Sequence, residues 1–186
     1  MTPVTWLRAV MTKTHKLKTE IWLPQKRATV FSFFADPRNL EDLTPGWLHF
    51  EILTPLPLQM QSGVLIDYRL RLYGIPLHWQ SEICLWEPPH CFVDRQIRGP
   101  YRVWIHEHTF TELNGGTLVG DTVEYAAPGG ILVQKLFLDR DLKRIFAFRH
   151  ERLRQRFGTS NPQDPTTIKQ SQALSEGEKT FFGELQ

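Results

Sequence analysis

The chain has 186 residues, 22 Lys and Arg against 20 Asp and Glu, 41% hydrophobic residues and two Cys. That length suits one domain with ends attached and allows a real core without disulfide or metal staples. A net charge of +2 lacks the clustered basic stripe of a nucleic-acid binder, two Cys make neither a zinc site nor a disulfide framework, and no apolar run nears the ~18 residues of a membrane span.

Residues 1–14 read as an N-terminal extension. Their apolar stretch is too short for a secretory signal peptide, and Met11 offers an alternative start. His15–Leu23 alternates as a strand, with Leu17, Thr19, Ile21 and Leu23 on one face. Pro24 ends it and opens a helical stretch carrying Val30, Phe31, Phe33 and Phe34. Asp36-Pro37 then restarts a short helix, Asp as N-cap and Pro at the first helical position, and Thr44-Pro45-Gly46 stops it. Strand-like text follows from about Phe50 to Tyr125. It is broken at Leu56-Pro57, Gly74-Ile75-Pro76, Pro88-Pro89, Gly99-Pro100 and Asn114-Gly115-Gly116. A long helix is predicted over 131–157. Its apolar stripe is Leu138, Leu142, Ile145, Phe146 and Leu153, and its other face carries Arg140, Lys143, Arg144, Arg152, Arg154 and Arg156. From Gly158 the text is polar, with a net charge of −2 that leaves +4 for 1–157. It cannot bury enough surface to offset its ordering entropy, so 158–186 is expected to be a disordered tail.

Hairpins restrict the register, because residues opposite one another share a face. A four-residue loop at Tyr73–Pro76 would set Leu72 opposite Leu77, Tyr68 opposite Ser81 and Ile66 opposite Ile83. A two-residue loop at Pro88-Pro89 would set Leu85 opposite Phe92, Ile83 opposite Asp94 and Ser81 opposite Gln96. A loop at Leu113–Gly116 sets Phe110 opposite Val119, His108 opposite Asp121, His106 opposite Val123 and Trp104 opposite Tyr125. A three-residue loop at Gly99-Pro100 keeps Trp104, His106, His108 and Phe110 on the inner face. The outer face is then polar (Asp67, Arg69, Arg71, His78, Gln80, Glu82 and Arg95), as an antiparallel sheet with one wet side allows. In this register Cys84 faces Val93 and Cys91 faces Trp86. The two Cys are diagonal neighbours with Cβ atoms ~7 Å apart, too far for a disulfide, so free thiols and a cytoplasmic protein are expected.

The inner face is not a simple core. Beside its Trp, Tyr, Phe and aliphatic residues it carries Asp94, Gln96, His106, His108 and Asp121. A buried polar group without a partner costs roughly 1–3 kcal/mol, so several together imply a paired network or a cavity. One long helix cannot fill the trough of a curved sheet, and Arg149 lies close to that helix's apolar stripe.

The order of one strand, two short helices, a six-stranded meander and a long C-terminal helix resembles the START-like, or SRPBCC, superfamily. The segments that carry the likeness are LPQKRATVFSFFADPRNLEDLTP (23–45), DYRLRLYGIPLHW (67–79), WEPPHCFVDRQIRGPY (86–101), WIHEHTF (104–110), GGTLVGDTVEY (115–125) and RDLKRIFAFR (140–149). They are similar to the polyketide cyclase/dehydrase and coenzyme Q-binding branch and span about 15–157. The resemblance implies an α+β helix-grip fold. In it a curved six- to seven-stranded antiparallel sheet wraps a long C-terminal helix, with two short helices after the first strand. It also implies a ligand cavity between sheet and helix. Carried over by position, the residues lining it would be Tyr68, Trp79, Asp94, Gln96, Trp104, His106, His108, Asp121, Tyr125 and Arg149.

Three functions follow as expectations. The favoured one is binding, with carriage as its extension, of an apolar small molecule such as a lipid, quinone or polyketide-like compound, with the polar residues orienting it. The alternative is a cyclase or dehydratase in which Asp121 orients His108 for proton transfer. The third is an interaction module without a ligand. His106-x-His108 opposite Asp121 could hold a transition metal, but no third His or Cys is visibly placed, and the resemblance calls for neither metal nor organic cofactor. No nucleic-acid partner is expected. The basic face of the last helix could approach an anionic membrane, although Asp139, Asp141 and Glu151 dilute its charge. Trp47 could gate the cavity mouth or lie tucked onto the domain.

Overall fold

Strands dominate the middle of the chain because β-branched and aromatic residues alternate there with polar ones. The computed structural model describes residues 14–126 and 139–159. The elements in order are β1 (His15–Leu23), α1 (Arg27–Phe34), α2 (Asn39–Asp42), a 3₁₀ turn (Gly46–Leu48), β2 (Glu51–Ile52), β3 (Leu65–Leu72), β4 (Ile75–Glu87), β5 (Cys91–Arg98), β6 (Val103–Leu113), β7 (Gly116–Ala126) and α3 (Asp139–Phe157). The extension at 1–13, the predicted helical residues 131–138 with Leu138, and the predicted tail from 160 lie outside the described residues. No helix among those described is long and apolar enough to cross a membrane.

The seven strands form one antiparallel sheet in the order β1-β7-β6-β5-β4-β3-β2. It is a meander from β2 to β7, with β1 added beside β7. Two short helices after the first strand and the long helix at the end complete the expected helix-grip fold. The second helix starts two residues later than its spacing predicts, at Asn39 with Arg38 in the N-cap position; Asp36 instead closes the turn before it, its carboxylate accepting the Arg38 amide at 3.0 Å. Along α3 the buried residues Leu142, Phe146 and Leu153 fall at steps that place them on one face. Arg149 stands on that same face, the one charged residue of the stripe, its side chain only 11% exposed.

Two hairpin registers match the sequence reading and two differ from it. At β6–β7 the pairs Trp104–Tyr125, His106–Val123, His108–Asp121 and Phe110–Val119 are as expected, and pairing continues to Leu113–Gly116 around Asn114-Gly115. Both turn residues have positive φ, 50° and 76°, the condition of the tight turn that Asn-Gly favours. At β5–β6, Asp94 faces His106 and Phe92 faces His108, the register of the three-residue loop. The β3–β4 loop is shorter than expected. Tyr73-Gly74 makes a two-residue turn with φ of 52° and 79°, so Leu72 faces Ile75 and Tyr68 faces Trp79, not Ser81. The slip is two residues, so every side chain keeps its face. At β4–β5 the loop is longer by one residue: Glu87 faces Cys91 and Leu85 faces Val93. A bulge at Cys84 absorbs the difference, and Ile83–Asp94 and Ser81–Gln96 pair as expected beyond it. A further irregularity follows between Gln80 and Ser81. Bulges add twist and bend a strand, so these bend the middle of the sheet into a trough. Both thiols are free, although Cys91 faces Glu87 and not Trp86.

One end of the trough is dry. Leu23, Val30, Phe31, Phe92, Phe110, Val119 and Leu153 form a continuous buried cluster. Phe31 of α1 meets Phe110 and Phe92 edge-on at 5.2 and 6.2 Å, a favoured aromatic geometry. The outer face is wet and paired, with Arg95 on Glu82 and His78 on Asp67.

Candidate functional site

The sheet's curvature leaves a pocket of about 200 Å³ between the trough, α2 and α3. Its wall is mostly apolar: Phe34, Leu40 and Leu43 from the short helices, Ile66, Tyr68 and Leu70 from β3, Trp79 and Ile83 from β4, and Leu142 and Ile145 from α3. Its polar corner is formed by Ser81, Asp94, His106, His108 and Arg149. Seven of the ten residues expected to line a cavity do so: Tyr68, Trp79, Asp94, Trp104, His106, His108 and Arg149.

The other three stand behind the wall. Gln96 clamps the β5–β6 turn, its amide donating to the Tyr101 carbonyl at 2.7 Å and its oxygen accepting the Tyr101 amide at 3.2 Å. Tyr125, 4% exposed, packs against Trp104 and Tyr101. Asp121, 2% exposed, lies beneath the two histidines. Several lining residues, including Phe34, Ser81, Leu142 and Ile145, were not singled out as site residues in the sequence. Nothing but three-dimensional curvature distinguishes them from ordinary core. Trp47 is 48% exposed and rests on α3, edge-on to Phe148 at 6.2 Å and under Arg144 at 4.8 Å.

Three neighbouring strands build the polar corner. Asp94 on β5 faces His106 on β6, and Asp121 on β7 faces His108, so a carboxylate flanks the H-x-H pair on each side. His106 Nε2 lies 2.9 Å from Asp121 Oδ1 in hydrogen-bond geometry. His108 Nδ1 lies 2.9 Å from the same oxygen but off the line of a hydrogen bond. The two imidazoles lean together, ring centroids 3.8 Å apart. Their remaining nitrogens, His106 Nδ1 and His108 Nε2, face Asp94 Oδ2 at 3.7 and 3.5 Å. Arg149 Nη1 approaches Asp121 Oδ1 at 3.6 Å. A relay runs behind Asp94: Trp79 Nε1 donates to Ser81 Oγ at 3.0 Å, and Ser81 Oγ donates to Asp94 Oδ1 at 3.4 Å. Phe92 stacks on His108 at 4.2 Å, closing the corner on its dry side.

Burial and neighbours divide the charges. Burial and the adjoining His108 push His106 down to about 4, against the pull of Asp121 and Asp94, so it is neutral at pH 7. Burial also opposes charge on His108, but Asp121 and Asp94 outweigh it and hold this histidine above its ordinary value. Burial likewise opposes ionisation of both carboxyls. The histidines overcome it and hold Asp121 well below the carboxylate range, and with help from Arg149 they hold Asp94 below it. Two carboxylates thus face one guanidinium and the paired histidines, so the buried charges have partners, as a low-dielectric site requires.

The comparisons with known proteins agree with this architecture. Residues 23–149, more than half of the chain, match the family of polyketide cyclase/dehydrase and lipid transport proteins. No curated protein matches the chain in sequence. Among solved structures, protein CV1439 of Chromobacterium violaceum superposes with a TM-score of 0.62 at 13% identity, over 78% of this chain and 98% of that one. The ZhuI aromatase/cyclase of Streptomyces sp. R1128 gives 0.60 at 14%, over 76% and 92%. Major latex-like protein 151 of Panax ginseng gives 0.59 at 10%, over 77% and 97%. At these identities the structures testify to the fold alone. Sequence match and fold together make the chain a member of the polyketide cyclase/dehydrase and lipid transport family, within the START-like superfamily.

Proposed function

We propose that the protein binds an apolar small molecule, such as a lipid, quinone or polyketide-like compound, in the pocket between sheet and α3, and can carry it. One observation supports this above the others: the pocket wall is mostly aliphatic and aromatic, with a cluster of buried polar groups at one corner and Asp36, Asn39 and Thr44 along the short-helix side. That is the composition of small-molecule sites, where apolar walls supply affinity and a few polar groups set orientation. An interaction module with a filled core would have no use for this space. The reading is tested by native mass spectrometry of protein purified gently from its own source. A co-purifying mass that Leu70→Trp abolishes, by filling the pocket, is the expected result. An empty protein that also fails to take up a panel of lipids and quinones overturns it.

A second reading, a cyclase or dehydratase, is favoured by His108, which lines the pocket 2.9 Å from Asp121. A positioned imidazole–carboxylate pair can move a proton on a bound carbonyl compound. Loss of water from a linear polyketone, abolished in His108→Gln, is the outcome that supports it. An unchanged polyketone leaves binding alone. We further propose a cytoplasmic location, in line with the free Cys84 and Cys91. The outer face of α3 offers Lys143, Arg144 and Arg152 for brief contact with an anionic membrane.

A further inference from the structure

The H-x-H pair has a property that proton transfer does not require. His106 Nε2 is hydrogen-bonded to the buried carboxylate of Asp121 at 2.9 Å, and His108 Nδ1 lies 2.9 Å from the same oxygen, off the line of a hydrogen bond. Both then turn the other nitrogen to one point beside Asp94 Oδ2. A carboxylate behind a histidine is what orients a metal-ligating imidazole and sets its tautomer. The hydrogen bond from His106 Nε2 to Asp121 leaves the lone pair on His106 Nδ1, and His108 Nε2 converges on the same point.

From this geometry we infer that Asp94, His106 and His108 form a binding site for a divalent first-row transition metal at the polar corner of the pocket. The three ligand atoms all lie within 4.8 Å of one another. The separations from Asp94 Oδ2, 3.7 and 3.5 Å, are looser than a good hydrogen bond. They match the spacing of ligands around one ion, since metal–ligand distances of about 2.0–2.2 Å put tetrahedral ligands about 3.4 Å apart. Two imidazoles and one carboxylate on one side, with the remaining positions open, is a donor set that suits iron(II) or zinc. Here the open positions face the pocket, which all three residues line.

Charge and hydrogen bonding agree. Two carboxylates, one guanidinium and two neutral imidazoles leave a net negative charge around the point where the three ligand atoms meet, which favours a cation there. The cluster is also incomplete as it stands: His108 Nδ1, Asp121 Oδ2 and Arg149 Nε are buried without a hydrogen-bond partner among the described residues. Sequence alone points away from a metal because it offers Asp121 as the carboxylate and no further ligand. The structure assigns Asp121 to the orienting position and supplies Asp94, from the neighbouring strand, as the ligand.

The test uses the full chain, freed of metal with a chelator and titrated with cobalt(II) as the probe. One equivalent should bind, with visible d–d absorption bands and paramagnetic shifts of the His106 and His108 ring resonances in the unmutated protein. Asp121→Asn should weaken binding 10–100-fold, as loss of an orienting partner does, and Asp94→Asn by more. His78→Gln, on the outer face, should change nothing. Near-ultraviolet circular dichroism establishes that each variant is folded. The inference is overturned if the folded wild type binds no cobalt, if His78→Gln removes the binding, or if the shifted resonances belong to other histidines. Because metal uptake is read without any organic ligand, these outcomes are separate from those that test ligand binding.

Discussion

The two ends of the trough are made from the same strands and stabilised in opposite ways. At the dry end, Phe31, Phe92 and Phe110 fill space against Leu23, Val119 and Leu153. Any side chain of similar shape and volume would serve. At the ionic end, Asp94, His106, His108, Asp121 and Arg149 each depend on another member for charge or hydrogen bond. The border is one rung wide: His108 and Phe110 are two residues apart on β6, and Phe92 stacks on His108. Apolar burial is thus locally tolerant, whereas a buried ionic group must be kept or removed as a whole.

The sharpest way to break this comparison is to remove one charge. Asp121→Ala should cost about 3–5 kcal/mol in denaturant unfolding, because it leaves buried cationic and N–H groups facing nothing. Phe110→Ala should cost a similar ~3–5 kcal/mol, while Phe110→Met should cost under ~1.5 kcal/mol. The ends separate on rescue. Replacing Asp94, His106, His108, Asp121 and Arg149 together with apolar residues of matching volume should restore most of the loss. If Asp121→Ala costs less than ~1 kcal/mol, the ionic end is effectively solvated and the contrast fails.

A pH profile of metal-free protein sharpens the same comparison. His106 is held at about 4 in the fold against an ordinary 6.5. The unfolded chain therefore binds a proton that the folded chain refuses, and stability falls as pH drops from 6.5 to about 4, by about 3 kcal/mol from this group. Below that, the lowered Asp94 and Asp121 remove more, since the unfolded carboxylates protonate first. His108, raised in the fold, contributes fully below 6.5 and loses its contribution as pH rises through its folded value. The expected curve is a dome with its maximum near pH 6–7, read from urea midpoints. Asp121→Ala should flatten it, and Phe110→Met should leave its shape intact.

The smallest effect concerns Gln96, which touches neither end. Gln96→Ala removes two hydrogen bonds to the Tyr101 backbone and should cost about 1–2 kcal/mol. Hydrogen exchange at the β5–β6 turn should rise, while the amides of β7 stay protected.

How much of this was legible in the sequence depended on whether a feature leaves a residue signature. Asn114-Gly115 announces its turn, and the whole β6–β7 register follows from it, Asp121 beneath the histidines included. Tyr73-Gly74 hides its turn, because Tyr at positive φ is uncommon and Pro76 suggests a longer loop. The bulge at Cys84 leaves no mark, since an extra residue in a strand looks like any other. Six of the site residues could be placed because alternation along a strand assigns faces, and Arg149 because helical spacing does. Whether a face residue lines a pocket or stands behind the wall depends on curvature, which is why Asp121 and Tyr125 lie deeper than alternation suggests and Gln96 is taken up by the β5–β6 turn.

Arg149 in the apolar stripe of α3 has a consequence for traffic. A molecule could reach the pocket by lifting the helix, but that motion would withdraw the guanidinium from Asp121, 3.6 Å away, and pull Leu142, Phe146 and Leu153 off the sheet. The β3–β4 hairpin is tied to the helix differently, by the exposed hydroxyl of Tyr73 donating to Asp141, a bond worth about 0.5–1.5 kcal/mol. Leu72 and Leu77 on that hairpin line the pocket. The helix is therefore anchored by its apolar stripe and by one buried arginine, so a passage beneath it disturbs both the dry and the ionic end of the trough.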